Sequence, residues 1–251
     1  MKRVSAFNAR PCTSRRVMLV ASLALTACGS SRTTDNPRAQ VAPGAGIGPP
    51  SLYIDAVLAP PPIRAMESCI YIPDPSLPSL SAGRLDMAFA TQYTPGLLVG
   101  NATTADGGIE AARMAITGVD VHVTDLAGSP IADVHNDASS FIDGAECNLP
   151  GYATVSATLL DSAAVAAATR STTTVRVIAH VTALAKDAYG DAVRSMPFDF
   201  PIDLCAGCLV TSPPAPATCA DPPDTNFVPC VVGQDQPIDC RTCQPNPACH
   251  L

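Results

Sequence analysis

The sequence contains no tryptophan, and aromatic residues make up only 4% of its 251 positions. Any core must therefore be filled by small and β-branched side chains, because alanine, valine, leucine and threonine carry the apolar content. Charged residues are also scarce, at 15% against about 25% in an average soluble chain. Lysine is nearly missing, with Lys186 the only one beyond Lys2. No basic stripe is present, which argues against nucleic acid as a partner. The charge is negative and lopsided. No acidic residue precedes Asp35, whereas five basic residues (Lys2, Arg3, Arg10, Arg15, Arg16) lie at the start; without those five the net charge falls from −7 to −12. Such an acidic surface is repelled by anionic lipid, so peripheral membrane attachment by charge is not expected. Familiar catalytic signatures are absent too. There is no Gly-x-Ser-x-Gly elbow, no His-Glu-x-x-His and no phosphate-binding Gly-x-x-x-x-Gly-Lys loop.

What is present begins with an export segment. Residues 1–16 are basic and polar, and residues 17–27 are apolar and uncharged. That run falls well short of the about 20 residues a spanning helix needs, so it reads as a signal-peptide core. It ends Leu25-Thr26-Ala27-Cys28, followed by Gly29. These residues resemble the lipobox of bacterial lipoprotein precursors. The resemblance implies cleavage before Cys28, a diacylglycerol on its sulfur and acylation of the new amine with a palmitate-class chain. Several acyl chains anchor far better than one, since each buried CH₂ contributes about 0.8 kcal/mol. Gly29, in place of aspartate, implies the outer membrane, on its periplasmic or surface side. Ser14-Arg15-Arg16-Val17-Met18-Leu19 is similar to a twin-arginine signal, although Val20 stands where lysine is usual. Both export routes stay open.

Residues 28–50 read as a lipidated, flexible linker rich in Ser, Thr, Pro and Gly. Gly44, Gly46 and Gly48 lie in polar linker ahead of Pro49-Pro50, so they make no dinucleotide loop.

Residues 51–204 alternate apolar and polar positions with period two, as strands with one buried face do. The clearest runs are 119–124, 153–159 and 175–183; weaker ones are 52–58, 69–72, 85–93 and 97–100. In the last run, 198–204, Pro197 and Pro201 remove donors from one side only, which suits an edge strand. One helix is expected at about 161–169. The pattern predicts a mainly β body, an immunoglobulin-like or related β-sandwich.

Residues 205–251 form a cysteine-rich, proline-rich tail, with seven cysteines and nine prolines. A segment so poor in large apolar residues needs disulfides or metal to hold a shape. With Cys28 lipidated, nine disulfide candidates remain: Cys69, Cys147, Cys205, Cys208, Cys219, Cys230, Cys240, Cys243 and Cys249. Export favours disulfides, and nine is odd. Cys69 and Cys147, both in the body, are natural candidates to pair. The alternative is zinc held by two Cys-x-x-Cys pairs, Cys205 with Cys208 and Cys240 with Cys243. A redox role for Cys205–Cys208 lacks the helix that would follow it.

Four histidines lie beyond the export segment. His122 and His180 fall on polar faces of expected strands and could meet if register allows. His250, beside Cys249, is a further metal-ligand candidate. His135 belongs to an acidic stretch, Asp133–Asp137, read as a polar turn or a calcium loop without full EF-hand spacing. No pair of carboxylates stands out as an acid/base couple. The expectation is a non-catalytic structural or binding module of the cell envelope, with no cofactor. Its partners would be the membrane, through Cys28, and another envelope protein or an extracellular ligand. The alternatives are the zinc protein and an envelope hydrolase with a loop-built site.

Overall fold

The computed structural model describes residues 51–61, 70–103, 112–146, 149–169, 175–222 and 230–249. Cys28, the segments on either side of it, Cys69, Cys147 and His250 lie outside the described residues.

In chain order the strands are β1 (Leu52–Leu58), β2 (Ser79–Leu80), β3 (Gly83–Asp86), β4 (Gly96–Asn101), β5 (Met114–Asp125), β6 (Pro130–Ile142) and β7 (Gly151–Ser156). Helix α1 (Ser162–Ala168) follows. Then come β8 (Val175–Lys186), β9 (Ala192–Arg194), β10 (Phe198–Cys205), β11 (Val210–Thr211) and β12 (Ile238–Asp239). One sheet has the order β2-β1-β4-β7. The other runs β3-β10-β8-β5-β6, with β9 on β8, and β11 pairs with β12 alone. The fold is thus mainly β, as the alternation predicts.

The two large sheets share one hydrophobic core. Leu52, Ile54, Leu97, Val99 and Val155 come from the first, and Val119, Val121, Val181, Ile202 and Leu204 from the second. Period-two alternation does this directly: every second residue of β8 (Val177, Ala179, Val181, Ala183, Ala185) is buried. The two largest fully buried side chains, Tyr93 and Phe200, stack with ring centroids 6.3 Å apart. Gly83 sits against them, and a Cβ there would come within 2.5 Å of the Tyr93 hydroxyl. Helix α1 is short but capped, because the Asp161 carboxylate accepts the Ala164 N–H at 2.7 Å.

Several expectations need correction. Ile70 and Ile72 are exposed and form no strand. Of the 85–93 region only Leu85 and Asp86 lie in a strand, the end of β3, which runs parallel to β10. Strand β10 is consequently not an edge along its whole length. β3 covers Ile202–Cys205 and pairing stops short of Pro201, so only the first half keeps the blunted free side that the prolines suggest. The stretch Asp133–Asp137 is no turn; it is the middle of β6. β6 ends the sheet, and a side chain bridges its margin: Asn136 accepts the Thr158 N–H (2.8 Å) and donates to the Thr158 carbonyl (3.0 Å). One amide thus makes both bonds of a strand pairing.

The tail holds its shape through three disulfides, Cys205–Cys208, Cys219–Cys240 and Cys243–Cys249. This pairing engages all four sulfurs of the zinc alternative in disulfides. They are divided among three separate bridges, and the first pair leads into β11, not into a helix. The tail is moored to the body by polar groups. The fully buried Asp86 carboxylate accepts N–H bonds from Ala88, Gly207 and Leu209. Gln234 accepts from Thr94 and donates to the Gln92 carbonyl. Gln236 accepts the Cys230 N–H and donates toward the Pro60 and Pro61 carbonyls. Asp235, a non-glycine residue at positive φ, accepts the Arg84 N–H and the Tyr93 hydroxyl. Burial pushes the Asp235 carboxyl up to about 6.

Candidate functional site

The outward face of the second sheet gathers the three described histidines. On β5 the valines 119, 121 and 123 point inward, so Asp120, His122 and Thr124 must point out. The register then sets their neighbours: His122 lies opposite Asp133 on β6 and His180 on β8, and His180 lies opposite Asp199 on β10. One row across four strands therefore reads Asp133–His122–His180–Asp199. The next row places Asp120 opposite His135 on β6 and Thr182 on β8.

The bonding follows the rows. His122 Nδ1 is 2.7 Å from Asp133 Oδ1, His180 Nδ1 is 2.6 Å from Asp199 Oδ1, and His135 Nδ1 is 2.7 Å from Asp120 Oδ1. A carboxylate can only accept, so each Nδ1 carries the proton. His180 Nε2 then meets the Thr124 hydroxyl at 3.1 Å. The His122 and His180 rings stack at 5.9 Å. His135 also has Asp137 3.5 Å from Nε2. Carboxylates beside both nitrogens, the Asp120 hydrogen bond first, raise its pKa above the ordinary imidazole range. Two guanidinium groups border the rows. Arg194 reaches Asp120 at 3.4 Å, and Arg176 grips Asp203 through two bonds of 2.6 and 2.9 Å.

These side chains line a shallow depression of about 290 Å³ whose walls include Asp120, His122, Asp133, His135, His180 and Thr182. Its lining holds no serine or cysteine. Among the described residues no group of three or more His, Cys, Asp or Glu is arranged to hold a metal ion. The sequence placed His122 and His180 on polar strand faces; the structure brings them together. It missed the partners on β6, because reading Asp133–Asp137 as a turn hid the spacing of two that puts Asp133, His135 and Asp137 on one face.

No protein family matches the chain, and no curated protein matches it. Among the solved structures that match, the X-ray structure of Northeast Structural Genomics Consortium target SoR45 aligns with 13% identity over 46% of this chain and 72% of that one. Its TM-score of 0.27 is too low to bear on fold or function.

Proposed function

We propose that the protein is a lipid-anchored envelope protein whose β body is a non-catalytic binding module, presenting the aspartate–histidine face to another envelope protein or an extracellular ligand. The observation that carries this reading is the Asp133–His122–His180–Asp199 row on the solvent side of a rigid sheet. Its titratable groups pair with one another, and the hydroxyl bonded to His180, that of Thr124, is buried at 5% exposure, which suits recognition better than hydrolysis. The anchor rests on the lipobox resemblance around Cys28. We read the body more finely as an immunoglobulin-like sandwich. In that fold, neighbouring strands run A-B-E in one sheet and G-F-C-C′ in the other; β1-β4-β7 and β10-β8-β5-β6 fall in the same chain order.

Two experiments test the reading in cells. Cys28→Ala should move the protein from the membrane fraction to the soluble one; retention in the membrane would overturn the anchor. A photo-cross-linking residue at Thr182 should give a recurrent adduct that the same residue at Ser156, on β7 of the other sheet, does not. Equal adducts from both positions, or none from Thr182, would overturn the binding face.

A further inference from the structure

We propose that this face binds an extended cationic polypeptide segment lying across the strands, with two lysine or arginine side chains four residues apart. The inference rests on the binding-module reading and names its partner class.

Free acceptors supply the first argument. Asp133 and Asp199 each engage their histidine through Oδ1, and neither Oδ2 has a partner among the described residues. Both side chains are largely exposed, at 84% and 69%. Geometry supplies the second. The two aspartates end one row, three strand spacings apart, which is about 14 Å at ~4.8 Å per spacing. An extended chain advances about 3.3 Å per residue and returns its side chains to the same side every second residue. Positions four apart therefore span about 13 Å on one face, matching the two acceptors. The third argument is precedent within the molecule, since this face already holds two guanidinium groups on its own aspartates, Arg194 on Asp120 and Arg176 on Asp203.

Charge complementarity agrees. β5 and β6 contribute Asp120, Asp133 and Asp137, and β10 contributes Asp199 and Asp203. Against these five stand four cations, Arg84 of β3, Arg176 and Lys186 of β8 and Arg194 of β9, and neither Asp133 nor Asp199 is engaged by any of them. The stacked His122 and His180 rings stand between the acceptors, where the methylene stem of a basic residue can lie across them.

The test uses the full processed chain in detergent micelles and fluorescent peptides with two arginines in a threonine background, spaced two, four or six residues apart. At low salt the spacing-of-four peptide should bind about fivefold more tightly than the other two, the gain expected of two exposed ion pairs. Asp133→Asn with Asp199→Asn should abolish that preference. Glu146→Gln with Asp221→Asn, a charge-matched change elsewhere, should preserve it. The proposal is overturned if no peptide binds, if all spacings bind alike, or if both double variants lose binding equally. If the peptides fail while the Thr182 adduct recurs, the partner is not cationic and the binding-module reading stands. If both fail, that reading falls as well.

Discussion

Where the two sheets meet, Phe200, Ile202 and Leu204 lose nearly all their exposed surface against other hydrocarbon. Where the tail meets the body, a carboxylate holds two N–H groups of the tail, two glutamines reach carbonyls and an aspartate takes a tyrosine hydroxyl, beside the ring of Phe89 packed on the small cluster of Val210, Cys240 and Cys249. The body is held by burial, which is non-directional and tolerates exchange of one apolar residue for another of similar volume. The tail is held by directional bonds and by covalent bridges, where a change of one atom matters. The same chain therefore contains a region robust to conservative substitution and a region that is not.

Four substitutions sharpen the contrast. The largest effect is expected from Phe200→Ala, which leaves a cavity beside Tyr93 and removes about 3–5 kcal/mol; denaturant unfolding should report it across the whole body. Replacing Cys219 and Cys240 by serine opens a bridge spanning 21 positions and should remove about 3 kcal/mol. That loss should appear as faster hydrogen exchange in the tail, with the exchange of β5 and β8 unchanged. Asp86→Asn swaps one acceptor oxygen for a donor facing the Leu209 N–H, at about 2 kcal/mol. Its signature is again local to the tail, although Asp86 itself belongs to the body. A global loss equal to that of Phe200→Ala would break the distinction.

Asp235 gives the smallest effect and one of opposite sign. Its folded pKa is raised from 3.8 to about 6, so the folded state holds the proton more tightly than the unfolded one. That contribution is fully present below about pH 4 and is lost as pH rises through about 6. Asparagine mimics the protonated acid, accepting from Arg84 and donating to Tyr93. Asp235→Asn should therefore stabilise tail docking at pH 7 and flatten its dependence between pH 4 and 7. Hydrogen exchange of residues 230–249 at the two pH values measures it.

Legibility followed the same divide. β1, β5, β8 and β10 could be read because each alternates strongly apolar with polar side chains, and α1 because Asp161 precedes a run of alanines. β6 was hidden because its inward positions are small or polar (Ala132, Asn136, Ala138) and only partly buried, so its alternation carries little hydrophobic contrast. The 69–72 run had the contrast without the burial. The histidine–aspartate row could not be read at all from one strand, since it depends on the register of four. The tail's mooring was equally invisible. Asp86, Gln234 and Gln236 look like surface residues until the fold closes over them, and nothing local marks a polar side chain as buried.

The parallel pairing of β3 with β10 also ties the tail to the body. Asp86 meets Gly207 and Leu209 across 121 and 123 residues of chain, and that meeting exists only where β10 lies in the sheet beside β3. The harbour for the tail is thus built by two strands far apart in the chain, and a docked tail certifies that both are in place.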